Sequence, residues 1–327
     1  MQRRPLTVAI ASALAAALLP LGAAAQTAWP NQPVKIVVPT GPGSSLDLIV
    51  RLMGDKLAAR WGQPVVIDNK PGAGGMLGVD IAAKATDGHT LAIGFNGPLA
   101  YAPYLYAKVP YDPARDLKAI VMTSSQANVL AVNAEKVPAK TVAEFVGWAR
   151  AQAGRMNYSS LGQGSSAHLT MELFLSEAGL QAVHVPFNGS PPAAMAVAQG
   201  TADATFMVAP ALLPHVQSGK LRLLAVSSGT KPDGLKDLPS LAEAGWPKVE
   251  SLAWNGLVGP ASLPEAAVAR VNADVNELLA HDAPLRDAMA RNGLSIVGGS
   301  AAEFRRFIDA DVARWGPVIT RLGVRLN

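Results

Sequence analysis

The sequence predicts an α/β protein of two units joined by a hinge, with a cleft between them. Three observations lead there. Strand-like runs alternate with helical periodicity from residue 34 to residue 95, the pattern of a parallel sheet flanked by helices. The same alternation starts again at residue 128 and continues to residue 228. The segment after residue 250 is short and mostly helical. It is too small for a third unit, so it is expected to return to the first. The chain then crosses twice between units, which makes a hinge.

The first 25 residues stand apart from the fold. Arg3 and Arg4 precede an apolar run, "LTVAIASALAAALLPL" (6–21), and Ala23-Ala24-Ala25 follows. This is the layout of a secretory leader, with cleavage expected after Ala25. The apolar stretch is short for a membrane anchor. Pro5 and Thr7 fit a twin-arginine signal poorly.

The elements follow in order. "VKIVVP" (34–39) reads as a buried strand. From Leu46 the period changes: Leu46, Ile49, Val50, Met53 and Leu57 share a helical face, a core stripe, while Asp47, Arg51 and Asp55 form a row expected to face solvent. "PVVID" (64–68) is a strand, "PGAGGMLGVDIAAKA" (71–85) a glycine loop opening a helix, and "HTLAIGF" (89–95) a third strand. "AYAPYLY" (100–106) is expected to be a packed loop. The second series runs "NVLAVN" (128–133), a helix capped by Thr141, "MNYSSL" (156–161), a helix over 165–179 ended by Gly179, "AVHVPF" (182–187), a short helix over 191–200, "DATFMV" (203–208) and "LRLLAVSS" (221–228). "WNGLVGP" (254–260) leads to helical segments near 264–281, 283–292 and 301–322. The expected organisation is a leader over 1–25, one domain from 26–127 together with 251–327, and a second over 128–250.

Composition narrows the function. The 327 residues contain no cysteine, which excludes disulfides, thiolate metal sites, a cysteine nucleophile and a lipid anchor on cysteine. An exported chain of this kind is expected to diffuse in the periplasm. The formal net charge is +4, two of it from Arg3 and Arg4, too little to argue for nucleic acid. No long exposed apolar seam appears, so a monomer is expected. The five histidines (His89, His168, His184, His215, His281) are scattered, so neither metal nor other cofactor is expected.

Chemistry concentrates in two loops. In "VPTGPGSSLDLIVR" (38–51) a strand ends in Gly41-Pro42-Gly43 and a helix opens at Ser44 or Ser45, with Asp47 completing a Ser-x-x-Asp pattern. The first helical turn offers unpaired N–H groups and the positive end of the helix dipole. The glycines let a ligand reach the backbone. This is a site for a small anion such as a carboxylate or phosphate. "NYSSLGQGSSAHL" (157–169) repeats the design in the second unit, with Ser160, Gly162, Gly164, Ser165 and Ser166. Two helix tips, one from each unit, are expected to hold one anion between them.

Sharper motifs fail. Gly162-x-Gly164-x-x-Ala167 fits a relaxed dinucleotide fingerprint, but residues 181–202 hold no acidic residue for a ribose. There is no phosphate-binding Gly-x-x-x-x-Gly-Lys-Ser/Thr loop and no Gly-x-Ser-x-Gly elbow. An exported hydrolase using Ser165 or Ser44 with His168 is the alternative chemistry, although His168 is expected to line the cleft or point to solvent. His184 reads as a sheet-end residue.

Long blocks then carry a resemblance. "WPNQPVKIVVP", "DNKPGAGGMLGVDIAAKATDGHTL", "VPYDPARDL", "NYSSLGQGSSAHLTMELF", "HVPFNGSPPA", "GKLRLLAVSS", "DLPSLAEAG" and the block from Trp254 to Leu257 occur in this order. The chain resembles the extracytoplasmic solute receptors of tripartite tricarboxylate transporters, the Bug family, over nearly all of its mature length. The resemblance implies a type II-like periplasmic binding fold that closes on a carboxylate and then meets the membrane subunits of a transporter; a receptor domain signalling to a sensor kinase is the further alternative, because both uses need the same closed state. It implies that Thr40 to Asp47 and Ser160 to His168 hold one carboxyl group. Asn96, Gly97 and the stretch Phe187, Asn188 to Ser190 would line the rest. The ligand would be a di- or tricarboxylate or an aromatic carboxylate.

The sequence also departs from the family pattern. Thr40 and Gly41 stand where an aromatic residue and a second proline are common, and Leu46 where threonine is. Met207 and Val208 replace an Asp and a polar residue after Phe206. Loss of that carboxylate removes a partner for an amino group, and loss of the ring leaves space. A larger or more apolar acid than an amino acid is therefore expected.

Overall fold

The computed structural model describes residues 29–229, 231 and 233–326; the expected leader lies outside them. Among the described residues, ten strands form one continuous sheet. In the first half β1 (Val34–Val38) pairs in parallel with β2 (Val65–Asn69) and β3 (Thr90–Phe95). Their connections are α1 (Ser45–Trp61) and α2 (Met76–Ala83). In the second half β5 (Asn157–Ser160) pairs in parallel with β6 (Val183–Pro186) and β7 (Ala204–Val208), connected by α5 (Ser166–Ala178) and α6 (Ser190–Ala198). α3 (Ala102–Leu105) and α4 (Val142–Ala151) precede these.

One strand joins the halves. β4 runs unbroken over Leu117–Asn133. From Leu117 to Ala127 it is antiparallel to β9 (Leu252–Pro260), and residues 122–125 also pair with β10 (Ser295–Gly298). From Asn128 onward it pairs instead with β7 and β8 (Leu221–Val226). The spatial order is β2-β1-β3-β9-β4-β7-β5-β6, with β8 and β10 also on β4.

Sequence periodicity missed the first half of β4. Residues 123–126 are Thr-Ser-Ser-Gln, a polar run that hides a strand. Thr123, Ser124 and Gln126 are nonetheless buried. Asn255 Oδ1 takes the hydroxyls of Thr123 (2.6 Å) and Ser124 (3.0 Å), so two of these polar groups are satisfied within the sheet. Also absent from the periodicity were β10 and α7 (Ala209–Gln217), the latter carrying Pro210 and Pro214.

α8 (Glu265–His281) and α9 (Ala283–Arg291) cover the first half with α1, burying Ile49, Met53, Leu57, Val271 and Leu278. α10 (Ala301–Leu322) starts with a capping box, in which Ser300 and Glu303 satisfy each other's backbone N–H groups. It packs on β4, on a π-helical turn at Gly97–Tyr101 and on α5 of the other half. The tyrosine cluster is part of this core: Tyr101 is fully buried against Trp315, ring centroids 5.4 Å apart.

Candidate functional site

Five strand-to-helix loops converge at the carboxyl ends of β1, β2, β3, β5 and β6, where open α/β sheets bind ligands. The cavity they enclose is lined by Pro39, Thr40, Pro71, Gly72, Gly74, Gly75, Phe95, Leu161, Gly162, Ser165, Phe187, Asn188 and Gly189. Its volume is about 20 Å³, roughly what one water requires. None of these lining residues carries a formal charge. The polar groups on offer are backbone amides, the Asn188 amide and two hydroxyls, and two phenyl rings form part of the wall.

The halves meet closely around this cavity. A Cβ placed on Gly41 would lie 2.9 Å from the Asn188 carbonyl oxygen, and one on Gly74 would lie 2.5 Å from that of Gln163. One on Gly97 would lie 3.0 Å from the Gly164 carbonyl oxygen. These glycines let the two backbones approach as no side chain would.

The first loop is braced from behind. Ser44 caps α1, accepting the Asp47 N–H at 3.3 Å, and its hydroxyl sits 2.6 Å from that of Thr40. Asp47 is buried, not part of a solvated row as its spacing with Arg51 and Asp55 suggested. Its carboxylate accepts from the Gly43 N–H (2.9 Å), Arg51 Nε (2.9 Å) and Asn69 Nδ2 (3.0 Å). Asn69 Nδ2 also donates to the Thr40 carbonyl at 3.1 Å. Burial opposes ionisation of Asp47, but the hydrogen bonds from Arg51, Gly43 and Asn69 outweigh it and hold the carboxyl below its ordinary range.

The expected site residues are therefore divided. Thr40, Gly162, Ser165, Phe187 and Asn188 line the cavity, and Gly41 and Gly97 stand at its edge where the halves touch. Gly43, Ser45, Asp47 and Val208 line a separate crevice of about 340 Å³ between α1 and the start of α7. The tip of α5 thus reaches the cavity through Ser165, whereas the tip of α1 stands behind Thr40 and opens toward the crevice. Met207 is fully buried in the core under α6 and α7, not at the cavity. Asn96 is turned inward: Nδ2 donates to Tyr101 Oη (2.9 Å) and the Leu252 carbonyl (3.1 Å), and Oδ1 accepts the Trp254 N–H (3.1 Å). β3 ends at Phe95, which takes the cavity side, and Asn96 already has helical backbone at the start of the π-helical turn. Gly164 belongs to the second loop and Ser160, Ser166 and His168 flank it, but none of the four lines the cavity.

Sequence reasoning missed Pro39, Pro71, Gly72, Gly74, Gly75 and Phe95, whereas Leu161 and Gly189 fall within the expected stretches 160–168 and 187–190. The stretch 71–75 carried a usable signal, a strand followed by a glycine loop opening a helix, the same one that marked 40–45.

The nucleophile–base couple is not formed. Ser165 Oγ donates to the Gly162 carbonyl at 2.7 Å, while His168 Nδ1 accepts the Gly164 N–H at 3.1 Å. His168 is buried, neither lining the cleft nor pointing to solvent. Ser160 does hydrogen-bond a histidine, His184 Nε2 at 2.7 Å, but its residue is fully buried away from the cavity. Among the described residues no group of three or more His, Cys, Asp or Glu could hold a metal ion, and no helix is long and apolar enough to cross a membrane.

Comparison with known proteins places this geometry. The family described as "Tripartite tricarboxylate transporter family receptor" matches residues 49–324. The chain belongs to this receptor family. BugT of Bordetella pertussis is 32% identical over 301 residues, covering 91% of this chain and 92% of BugT. An R. palustris protein solved with adipate superposes with a TM-score of 0.87 at 32% identity, covering 91% of this chain and all of that one (100%). MatC from Rhodopseudomonas palustris, solved with bound malate, gives a TM-score of 0.84 at 27% identity, covering 89% of this chain and 100% of MatC. The fold of this receptor is accordingly the two-lobed α/β fold of periplasmic binding proteins, and the halves of the sheet are its lobes.

Proposed function

We propose that this receptor captures an organic acid between its lobes and delivers it to the membrane subunits of a tripartite tricarboxylate transporter. One observation carries the reading: loops from both lobes meet at a cavity whose polar groups are amides and hydroxyls and whose wall includes two phenyl rings. Amide donors suit a carboxylate. Each charge-assisted hydrogen bond contributes roughly 1.5–3 kcal/mol. A few of them, less the cost of ordering the lobes, give micromolar affinity at about −8 kcal/mol. Capture requires the lobes to part at Gly41–Asn188 and Gly74–Gln163 and close again over the ligand.

The ligand class follows from the wall. Phe95 and Phe187 favour an aliphatic or aromatic spacer between carboxyl groups. No acidic side chain among the lining residues is available to pair an amino group, so an amino acid is disfavoured. Met207, which sequence comparison made the reason for this, is too deeply buried to act directly. The reading includes export to the periplasm with the leader cut after Ala25 and action as a monomer. It also includes one lobe of residues 26–127 and 251–327 and a second of 128–250, which the change of partners along β4 at residue 128 supports. A calorimetric screen of mono-, di- and tricarboxylates tests it. Adipate or an aromatic dicarboxylate is expected to bind; tight glutamate or aspartate binding, with none for such diacids, overturns it.

A further inference from the structure

Behind the second binding loop, two histidines are stacked face to face. The rings of His168 on α5 and His184 on β6 have centroids 3.9 Å apart and planes 9° from parallel. Tyr158 on β5 extends the stack, 4.9 Å from His184. Each histidine reaches into the loop. His184 Nε2 meets Ser160 Oγ, and that oxygen both accepts the Gly162 N–H (3.2 Å) and donates to the Gly162 carbonyl (3.0 Å). His168 Nδ1 takes the N–H of Gly164 at 3.1 Å.

The second contact fixes a protonation state. A backbone N–H only donates, so Nδ1 of His168 must be bare and the ring proton sits on Nε2. Nε2 points toward Glu172, with Oε1 3.9 Å away. His168 is 3% exposed, so no water replaces the bond if it is lost. The peptide it holds is a lobe contact: a Cβ on Gly164 would lie 2.8 Å from Leu105, and the Gly164 carbonyl faces Gly97.

We propose that His168, clamped by its stack on His184, is the positioning residue for the loop Gly162–Ser165, holding it in binding geometry only while its Nδ1 remains an acceptor. The residue does not touch the ligand. It fixes the peptide of Gly164 and thereby the flanking Gly162 and Ser165, both of which line the cavity. Protonation would set two donors against each other at Nδ1 and place a cation against the neighbouring ring. Burial, and for His168 the neighbouring His184, depresses both rings, His168 to about 3 and His184 to about 4. The titratable groups facing the pair are Glu172 on α5 and Tyr158 on β5, which hydrogen-bond each other. Across the lobe boundary Tyr106 lies beside Gly164. The clamp is thus set for ordinary pH and released in acid.

This inference rests on the proposed function for its binding readout, so the test also includes readouts free of ligand. In the mature chain, ¹⁵N shifts of His168 at neutral pH report the tautomer, and hydrogen exchange reports the Gly164 amide. His168→Gln supplies a side-chain carbonyl as a replacement acceptor; His168→Phe keeps a ring without one. The Nε2–H tautomer is expected, with Gly164 protected in the native chain and the Gln variant and exchanging roughly tenfold faster or more in the Phe variant. Adipate binding is expected to weaken by roughly tenfold in the Phe variant and to be restored by Gln. Affinity for adipate falls in both chains as pH drops below about 4, because the diacid's own carboxyl groups protonate there; the native chain, whose rings also titrate in this range, is expected to lose affinity more steeply between about pH 4 and 3 than the Gln variant. A proton on Nδ1, or a Phe variant with native Gly164 exchange, overturns the clamp. If the native chain binds no carboxylate, the proposed function fails while tautomer and exchange still decide the clamp.

Discussion

Gly41 and Asn188 touch across the two lobes, backbone to backbone, with room for hydrogen but not for a methyl group. A Cβ on Gly41 would stand 2.9 Å from the Asn188 carbonyl oxygen. Closure to this degree is therefore written into a missing side chain. Gly41→Ala should leave each lobe intact and hold the lobes apart. The expected result is a larger radius of gyration by small-angle X-ray scattering with little change in urea stability. An unchanged radius of gyration counts against the contact.

Gly74 adds a second constraint. Its φ is +63°, and a Cβ there would lie 2.5 Å from the Gln163 carbonyl oxygen. Gly74→Ala should open the lobes as Gly41→Ala does, and should also lose about 1–2 kcal/mol to left-handed backbone strain. Chemical denaturation of the two variants side by side separates the two effects.

Asp47 is the brace of the first loop. Asp47→Ala would remove the acceptor of the Gly43 N–H and free Asn69 from the loop it ties. The expected loss is about 1–3 kcal/mol, in the range for removing hydrogen bonds to a charged group. Asp47→Asn should fall between the variant and the native chain, since an amide oxygen still accepts from Gly43 or Asn69 but pairs poorly with Arg51. Equal stability of the Ala variant and the native chain in urea would refute the brace.

Much of this was legible in the sequence, and the exceptions share a cause. Parallel strands such as Val34–Val38 are buried on both faces and show as β-branched runs, and α1 announces itself by a cap, an apolar stripe and Gly62. β4 did not, because its middle is polar and its partner, Asn255, lies 132 residues away from Thr123 in the chain. The loops 40–45 and 160–166 were legible as glycine-and-serine turns before helices. What each side chain faces was not. Phe95 ends β3 and Asn96 opens the π-helical turn, and only the backbone change between them decides which enters the cavity. Asp47 looked like a solvated i,i+4 partner of Arg51, and its contact with Asn69 depends on tertiary placement of β2.

The buried histidines also set the response to acid. His168 and His184 titrate in the fold at about 3 and about 4, below the ordinary value of 6.5. The unfolded chain therefore binds more protons than the folded one in this window, so stability rises with pH there. Their contribution is complete above about pH 6.5 and is lost as pH falls toward 3. The slope is about 1.4 kcal/mol per pH unit for each ring. Urea denaturation from pH 7 to pH 4 should show this loss, and a double variant His168→Gln, His184→Gln should show less of it. A native and a double-variant profile of equal slope would remove the histidines from the account.

The cavity wall makes a prediction about salt. No lysine, arginine or histidine is among the residues lining it, so a bound carboxylate would be held by oriented dipoles at short range. Screening acts on charges separated by about a Debye length, near 10 Å at 0.1 M salt, and barely on hydrogen bonds in a closed site. The dissociation constant for adipate should therefore change by less than about threefold between low salt and about 0.5 M. A site built on an arginine clamp at a wetter surface would lose far more. Calorimetric titrations across that range decide it: a steep salt dependence would mean that a cationic side chain swings in on binding, Arg51, which braces the first loop through Asp47, being one candidate. The same titrations on Arg51→Gln would then expose that role, whereas a salt-insensitive affinity shared by both chains leaves the dipoles of the loops as the holding force.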